Sequence, residues 1–186
     1  MPLIFRISMI LIQLFGLSGV GKTTLAQAVK KELSDRNLKV EIIDGDEYRK
    51  VICRDLSFTK DDRIENIKRL GFVGNILARN GIIAILSAIS PYEVARKELK
   101  DQYQNVYGVW LDCPIAELIK RDTKGLYYRA LLPVNDPDKI NNLTGINDTF
   151  EIPENPDLII NTNDSDINES KTILLTFIYE KIGLSS

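Results

Sequence analysis

The sequence contains no histidine among its 186 residues. Imidazole triads, histidine metal sites and histidine general bases are excluded, so any catalysis falls to carboxylates, Lys, Arg and backbone amides. Cysteine is nearly as scarce. Cys53 and Cys113 are the only two, far apart and without metal-ligand spacing, which reads as two buried thiols in a reduced, cytoplasmic protein. Neither sign of charge dominates: 24 Lys and Arg stand against 26 Asp and Glu. A formal charge of -2 gives no global attraction for nucleic acid or an anionic membrane, so an anion site must be built locally. Long apolar runs are also lacking, and nothing approaches the roughly 18 residues of a membrane span. The nearest is Met1 to Phe15, whose single charge is Arg6. It has no convincing small-residue cleavage site and runs straight into a glycine-rich loop, so it reads as a buried first strand rather than a signal peptide. Residues 1 to 8 are then a short extension or an upstream start, with Met9 as an alternative beginning.

What is present is ordinary in amount and informative in order. Hydrophobic residues make up 44% and charged residues 27%, as in a globular protein of one domain, residues 1–186. Apolar runs of strand length occur at Ile10–Phe15, Lys39–Ile43, Gly81–Ala88, Val106–Leu111 and Leu158–Ile160. Between and after them, helical spacing appears over Thr23–Asp35, Lys60–Arg79 and Ile167–Ile182. Short strands alternating with helices predict βαβ units and an α/β fold: three layers, α/β/α, around a mostly parallel five-stranded sheet. Ligands of such sheets gather at the carboxyl ends of the strands. Residues 121 to 150 carry Gly125, Pro133, Pro137 and Gly145 among polar residues. That stretch predicts a mobile lid or a linker.

The first strand leads into Gly16-Leu17-Ser18-Gly19-Val20-Gly21-Lys22-Thr23-Thr24, which contains the phosphate-loop (P-loop, Walker A) pattern G-x-x-x-x-G-K-S/T. Glycines let the backbone curl so that successive N–H groups face phosphate oxygens, and the helix that follows adds its positive end. In that chemistry Lys22 reaches the β- and γ-phosphates of ATP, and Thr23 ligates Mg²⁺. Strand before and amphipathic helix after are the context the motif requires.

Further residues follow the other strands in order. Asp44-Gly45-Asp46 and Arg49 follow the second, and Phe58, Arg63 and Asn66 come next. Arg63 and Asn66 are three apart and share a helix face, which suits either solvent or an anion. Ile89-Ser90-Pro91 ends the third strand, and Asp112-Cys113-Pro114 ends the fourth. The irregular segment adds Arg121, Lys124-Gly125-Leu126-Tyr127 and Leu143-Thr144-Gly145-Ile146.

This ordered set resembles the adenylylsulfate kinase family of P-loop kinases, over about residues 12 to 158. The family phosphorylates the 3′-hydroxyl of adenosine 5′-phosphosulfate (APS) with ATP. By that resemblance, Asp46, Arg49, Phe58, Arg63, Asn66, Ile89, Ser90, Lys124, Leu143, Thr144 and Gly145 belong to the acceptor site. Arg121 would lie by the ATP adenine, Phe58 would pack on the acceptor's base, and Lys124 would close over the substrate. Phe58 equally suits the core, and Ser90 reads as a structural turn rather than a phosphorylated serine. A carboxylate within reach of the acceptor hydroxyl assists transfer; Asp46 is the choice for that base, with Asp44 orienting Mg²⁺ through water, although the two could exchange roles. The resemblance also implies a homodimer.

The lid departs from the family pattern. Gly125-Leu126-Tyr127 is followed by Tyr128-Arg129-Ala130-Leu131-Leu132-Pro133 and a longer polar run, where relatives have a short basic stretch. Leu143 stands where a stacking phenylalanine is expected, and Asn147 where aspartate is. Loss of one base-stacking aromatic is worth roughly 1–3 kcal/mol, for which Tyr127 or Tyr128 is the candidate to compensate. The alternative left open is a kinase of another nucleotide acceptor, such as cytidine diphosphoramidate in polysaccharide modification. A regulatory nucleotide-binding module without catalysis is a further class, against which Lys22, Thr23, Asp44 and Asp46 stand.

Overall fold

A computed structural model describes residues 9–184 of the chain. The expectations for residues 1 to 8 lie outside the described residues. The elements run β1 (Leu11–Phe15), α1 (Lys22–Asp35), β2 (Val40–Asp44), α2 (Gly45–Ile52), α3 (Lys60–Arg79), β3 (Ile83–Ser87), α4 (Glu93–Gln102), β4 (Val106–Asp112), α5 (Ile115–Arg121), α6 (Leu126–Leu131), β5 (Leu158–Asn161) and α7 (Ile167–Ile182). The five strands form one sheet in the order β2-β3-β1-β4-β5. Every pairing is parallel, so the expected mostly parallel sheet is wholly parallel.

Alternation along β1 divides the core into two layers. Ile10, Ile12 and Leu14 join an apolar cluster with Leu25, Val29 and Leu33 of α1 and Leu174 and Ile178 of α7. Leu11 faces the other way, among Ile67 and Leu70 of α3 and Ala95 and Leu99 of α4. Gln13 is buried on a strand where an apolar residue is usual, and its Nε2 donates to the Arg96 carbonyl of α4 at 3.2 Å. All five residues of β1 are buried, because helices cover both faces of the sheet.

Four helices escape the apolar spacing. Asp44-Gly45-Asp46 reads as an acidic turn but is the start of α2: the Asp44 carboxylate accepts from the Asp46 N–H at 2.9 Å and the Glu47 N–H at 3.3 Å. The same side-chain capture of nearby amides makes an Asx turn or a helix N-cap, so the tripeptide alone cannot distinguish them. In α4 the buried face is Ala95, Arg96 and Leu99, and a buried arginine disguises it. Helices α5 and α6 have seven and six residues, too short to show a period. The lid is therefore less irregular than its sequence: Tyr127, Ala130, Leu143 and Thr144 within it are buried, and Ile140 N–H bonds back to the Arg129 carbonyl at 3.1 Å.

The exit from β1 is fixed by a close approach. Gly16 has φ +149°, and a Cβ there would lie 2.5 Å from the Leu111 carbonyl oxygen of β4. Backbone cannot yield as a side-chain tip does. Gly16→Ala is expected to destabilise the fold by roughly 1–3 kcal/mol, read as a lowered urea midpoint at unchanged slope.

Candidate active site

The carboxyl ends of β1, β2 and β3 open on one cavity of about 290 Å³, lined by Ser18, Gly19, Gly21, Lys22, Thr23, Thr24, Asp44, Asp46, Ser87, Ala88, Ile89, Thr123 and Lys124. Gly19 and Gly21 have φ of +76° and +97°, the left-handed conformation that curls the loop and favours glycine. Gly21 is the N-cap of α1, so that helix points its unpaired N–H groups into the cavity. Val20 is 2% exposed and its side chain anchors the loop in the core.

Lys22 folds over the loop, donating from Nζ to the Gly16 carbonyl at 2.9 Å and the Leu17 carbonyl at 2.8 Å. Burial, reinforced by Lys124, lowers its pKa to about 7 despite the opposing pull of Asp46 and Asp44. An ammonium held at that cost is poised for an anion. Thr23 Oγ1 donates to Asp44 Oδ2 at 2.9 Å, while Asp44 Oδ1 caps α2. Asp44 is thereby fixed at both oxygens. Asp46, in the first turn of α2, has a side chain 80% exposed, its carboxylate 3.3 Å from Lys124 Nζ.

A second cavity, about 80 Å³, is lined by Gly45, Asp46, Arg49, Phe58, Arg63, Asn66, Ile67, Ala88, Ile89, Ser90 and Pro91. Asp46, Ala88 and Ile89 belong to both. Phe58 is 53% exposed, so it is not core. The Arg49 and Arg63 guanidinium carbons lie 4.4 and 5.3 Å from its ring centroid, a cation–π arrangement. Burial and the neighbouring Arg63 lower the pKa of Arg49. Asn66 Oδ1 and Ser90 Oγ are buried without a hydrogen-bond partner among the described residues, and Ser90 holds φ +45°. Orphan polar atoms and strained backbone are features that ligand sites retain.

Arg63 is itself held. Its Nε donates to the Phe58 carbonyl at 3.0 Å and its Nη2 to the Asn142 carbonyl at 2.6 Å. Nη2 also lies 2.9 Å from Asp148 Oδ2, a charge contact rather than an aligned hydrogen bond. The other Asp148 oxygen accepts from the Tyr92 hydroxyl at 3.2 Å and the Thr149 N–H at 2.8 Å. Asp148 and Tyr92 were not among the predicted site residues, because no spacing links them to Arg63.

Some predicted residues lie elsewhere. Leu143 is 6% exposed and packs in the α1/α7 core cluster, Thr144 is 1% exposed, and a Cβ on Gly145 would meet Leu17 Cδ2 at 2.8 Å. These three line neither cavity, because the apolar Leu143 gains more from burial than from stacking in water. Arg121 points to the loop after β5, donating to the Thr162 carbonyl and Asn163 Oδ1, and lines neither cavity. Tyr127 is buried and Tyr128 is 69% exposed, and neither lines either cavity.

A phosphate-binding loop at the head of a wholly parallel, helix-covered sheet, adjoined by a cationic pocket, defines a P-loop phosphotransferase. Residues 8–161 match the family model of adenylylsulphate kinase. A probable adenylyl-sulfate kinase of Synechocystis sp. is 42% identical over 86% of this chain and 87% of its own length. The adenylyl-sulfate kinase of Deinococcus deserti is 42% identical over 86% of each chain. Among solved structures, that of the Mycobacterium tuberculosis APS kinase CysC in complex with AMPPNP and APS is similar at a TM-score of 0.84 and 30% identity, covering 93% of this chain and 98% of that one. The chain belongs to the adenylylsulfate kinase family, phosphotransferases with an alcohol group as acceptor. These likenesses support that reading over a cytidine diphosphoramidate kinase. Among the described residues, no helix is long and apolar enough to cross a membrane.

The Arg63–Asp148 contact generates a stability prediction, since the Arg63 side chain is 9% exposed. Asp148→Ala leaves a buried guanidinium without its counter-charge and is expected to cost about 3 kcal/mol in urea denaturation. Adding Arg63→Ala to it should recover part of that loss, whereas strictly additive losses would show that the pair is uncoupled.

Proposed function

We propose that this chain, acting as a single kinase domain, transfers the γ-phosphoryl group of ATP to the 3′-hydroxyl of APS, yielding ADP and 3′-phosphoadenylyl sulfate. The observation that carries the reading is the junction of the two cavities at Asp46, Ala88 and Ile89. A phosphate donor on the loop and an anionic acceptor beside Arg49 and Arg63 would meet there.

The assignments follow from what each group has free. Gly16, Ser18, Gly19, Val20, Gly21, Lys22, Thr23 and Thr24 form the donor loop and its helix. Lys22 would exchange the Gly16 and Leu17 carbonyls for phosphate oxygens. Arg49, Arg63 and Phe58 supply charge and an aromatic face to the acceptor, while Asn66 and Ser90 offer unpaired polar atoms to its hydroxyls or base. Ile89 lines the path between the two. Asp46 is the general base: its carboxylate is exposed at the junction, whereas both oxygens of Asp44 are engaged. In the transfer, the acceptor oxygen bonds to the γ-phosphorus as the bond to the β–γ bridging oxygen breaks. The hydroxyl proton passes to Asp46, and ADP departs with the bridging oxygen. Lys124, 3.3 Å from Asp46, neutralises charge between donor and acceptor.

The hydroxyl of Thr23 and the carboxylate of Asp44 are hard oxygen donors, side by side in the phosphate cavity, and fit Mg²⁺ together with donor phosphates. Bound there, Mg²⁺ would neutralise charge on the β- and γ-phosphates. A cytoplasmic homodimer is the location and assembly that the family resemblance implies, and both belong to the proposal.

The test is an acceptor panel at fixed ATP and Mg²⁺. ADP release with APS should exceed that with cytidine diphosphoramidate, AMP or gluconate by at least about 100-fold, below the roughly 10⁴- to 10⁵-fold that polar recognition can supply. Preference for cytidine diphosphoramidate would overturn the acceptor assignment. Asp46→Asn should lower kcat about 10²- to 10⁴-fold with ATP affinity within about twofold; an unchanged kcat would transfer the base role to another group.

A further inference from the structure

The phosphate loop holds three consecutive carbonyls that need donors. Gly16 and Leu17 share Lys22 Nζ. The third, Ser18, has a different partner: the Tyr127 phenol donates to it at 2.8 Å. Tyr127 reaches the loop from α6, on the far side of the chain from the loop in sequence. The local chain is shaped to deliver it. Gly125 at φ +65° caps α6, and the Asp122 carboxylate accepts from the Tyr127 and Tyr128 N–H groups at 3.0 and 2.8 Å. Those contacts turn Tyr127 inward, where it is 2% exposed, packed in the cluster that contains Val20, Cys113 and Leu143.

One hydrogen bond to Ser18 O has a geometric consequence for the next residue. A peptide group is planar and trans, so its C=O and its N–H point in opposite directions. Holding the Ser18 carbonyl toward the buried phenol therefore turns the Gly19 N–H away from the core. Gly19 lines the phosphate cavity. It has no side chain to fix its peptide, and the nearest atom to a Cβ built there is Thr123 Oγ1 at 3.8 Å. Glycine on one side of a peptide makes rotation of that peptide easy. Lys22 does not restrain this carbonyl, and it would leave the other two on meeting phosphate. The Leu17 carbonyl would then keep only the Val20 N–H at 3.4 Å, and the Ser18 carbonyl keeps the phenol.

We propose that Tyr127 is a positioning residue for the phosphate loop: its hydroxyl pins the Ser18–Gly19 peptide so that the Gly19 N–H is preset toward the donor's phosphates. This rests on the proposed function, in which the loop binds ATP. It also gives the lid a role at the donor site besides covering the acceptor. Residues 126–131 and the loop form one unit, tightened by Gly145 against Leu17.

The test is Tyr127→Phe, which removes one oxygen and keeps the ring in its apolar site. ATP affinity is measured by calorimetry at 15 °C, first on the unaltered chain, then on the variant, with Tyr128→Phe as the exposed neighbour. Tyr127→Phe should weaken ATP binding roughly five- to tenfold, the effect of one hydrogen bond. The KM for the acceptor at saturating ATP should stay within about twofold, and Tyr128→Phe should change neither. The stabilisation of the variant by saturating ATP in thermal unfolding, compared with the unaltered chain, gives a second reading of the same loss. ATP affinity within about twofold of the unaltered chain, with or without a lower Tm, would overturn the proposal and leave the phenol a core contact. So would a Tyr127→Phe chain that does not fold at 15 °C. Failure of the unaltered chain to bind ATP would instead overturn the function reading, so the two failures are separable.

Discussion

A wholly parallel sheet sends the carboxyl end of every strand to the same edge, and each functional feature of this molecule hangs from that edge. Strand β1 lies between β3 and β4. The phosphate loop after β1 is therefore flanked by Ser87–Ser90 after β3 and by Asp112 after β4, with Asp44 one strand further out. Antiparallel pairing of any one strand would carry its trailing loop to the opposite edge and leave the cavity without a wall. The register supports this arrangement: Leu14 pairs with Ser87 and with Val109, and Asp44 pairs with Ser87. Burial of β1 on both faces fixes that register, since a slip by one residue would send Leu11 and Ile12 to exchange layers and Gln13 into the α1/α7 core.

On that frame the site is closed by a few polar contacts between elements far apart in sequence. Asp44 joins the phosphate loop to α2 through Thr23 and two backbone amides. Lys124 reaches Asp46, Tyr127 reaches Ser18, and Asp148 reaches Arg63. Each of these three joins the segment between residues 121 and 150 to a residue that lines the first or the second cavity. Of the segment's residues, Thr123 and Lys124 line the first cavity, and none lines the second. Of its departures from the family pattern, Tyr128, Leu131 and residues 133–135 are exposed and line neither cavity, whereas the buried ones, Ala130 and Leu143, alter core packing. Leu143 illustrates this: in place of an aromatic it completes the apolar cluster around Val20 and Tyr127.

Electrostatics explains why two of these contacts, Lys124 with Asp46 and Arg63 with Asp148, pair unlike charges. The two cavities gather Lys22, Lys124, Arg49 and Arg63 within a protein of net charge -2. Such a cluster repels itself, and the lowered pKa of Lys22 and Arg49 records the repulsion together with the burial. Asp44, Asp46 and Asp148 compensate while substrate is absent, and anionic nucleotides would take over part of that task on binding.

What the sequence determined by itself was the part governed by short-range rules. Hydrophobic runs gave the five strands, and glycine spacing followed by Lys22-Thr23 gave the phosphate loop. Helical periodicity located α3 and α7 to the residue. Four side chains that line the second cavity, Arg49, Phe58, Arg63 and Asn66, were legible through their order along the chain. The tertiary structure decided the rest, since those features depend on groups with no fixed separation in sequence. It buried Leu143 and Thr144, turned Arg121 away from the phosphate cavity, engaged both oxygens of Asp44 and left Asp46 exposed. It also brought Asp148 to Arg63 and Tyr127 to Ser18. Burial and pairing of a polar side chain are set by what folds against it, and only a packed sheet with its helices in place supplies those neighbours.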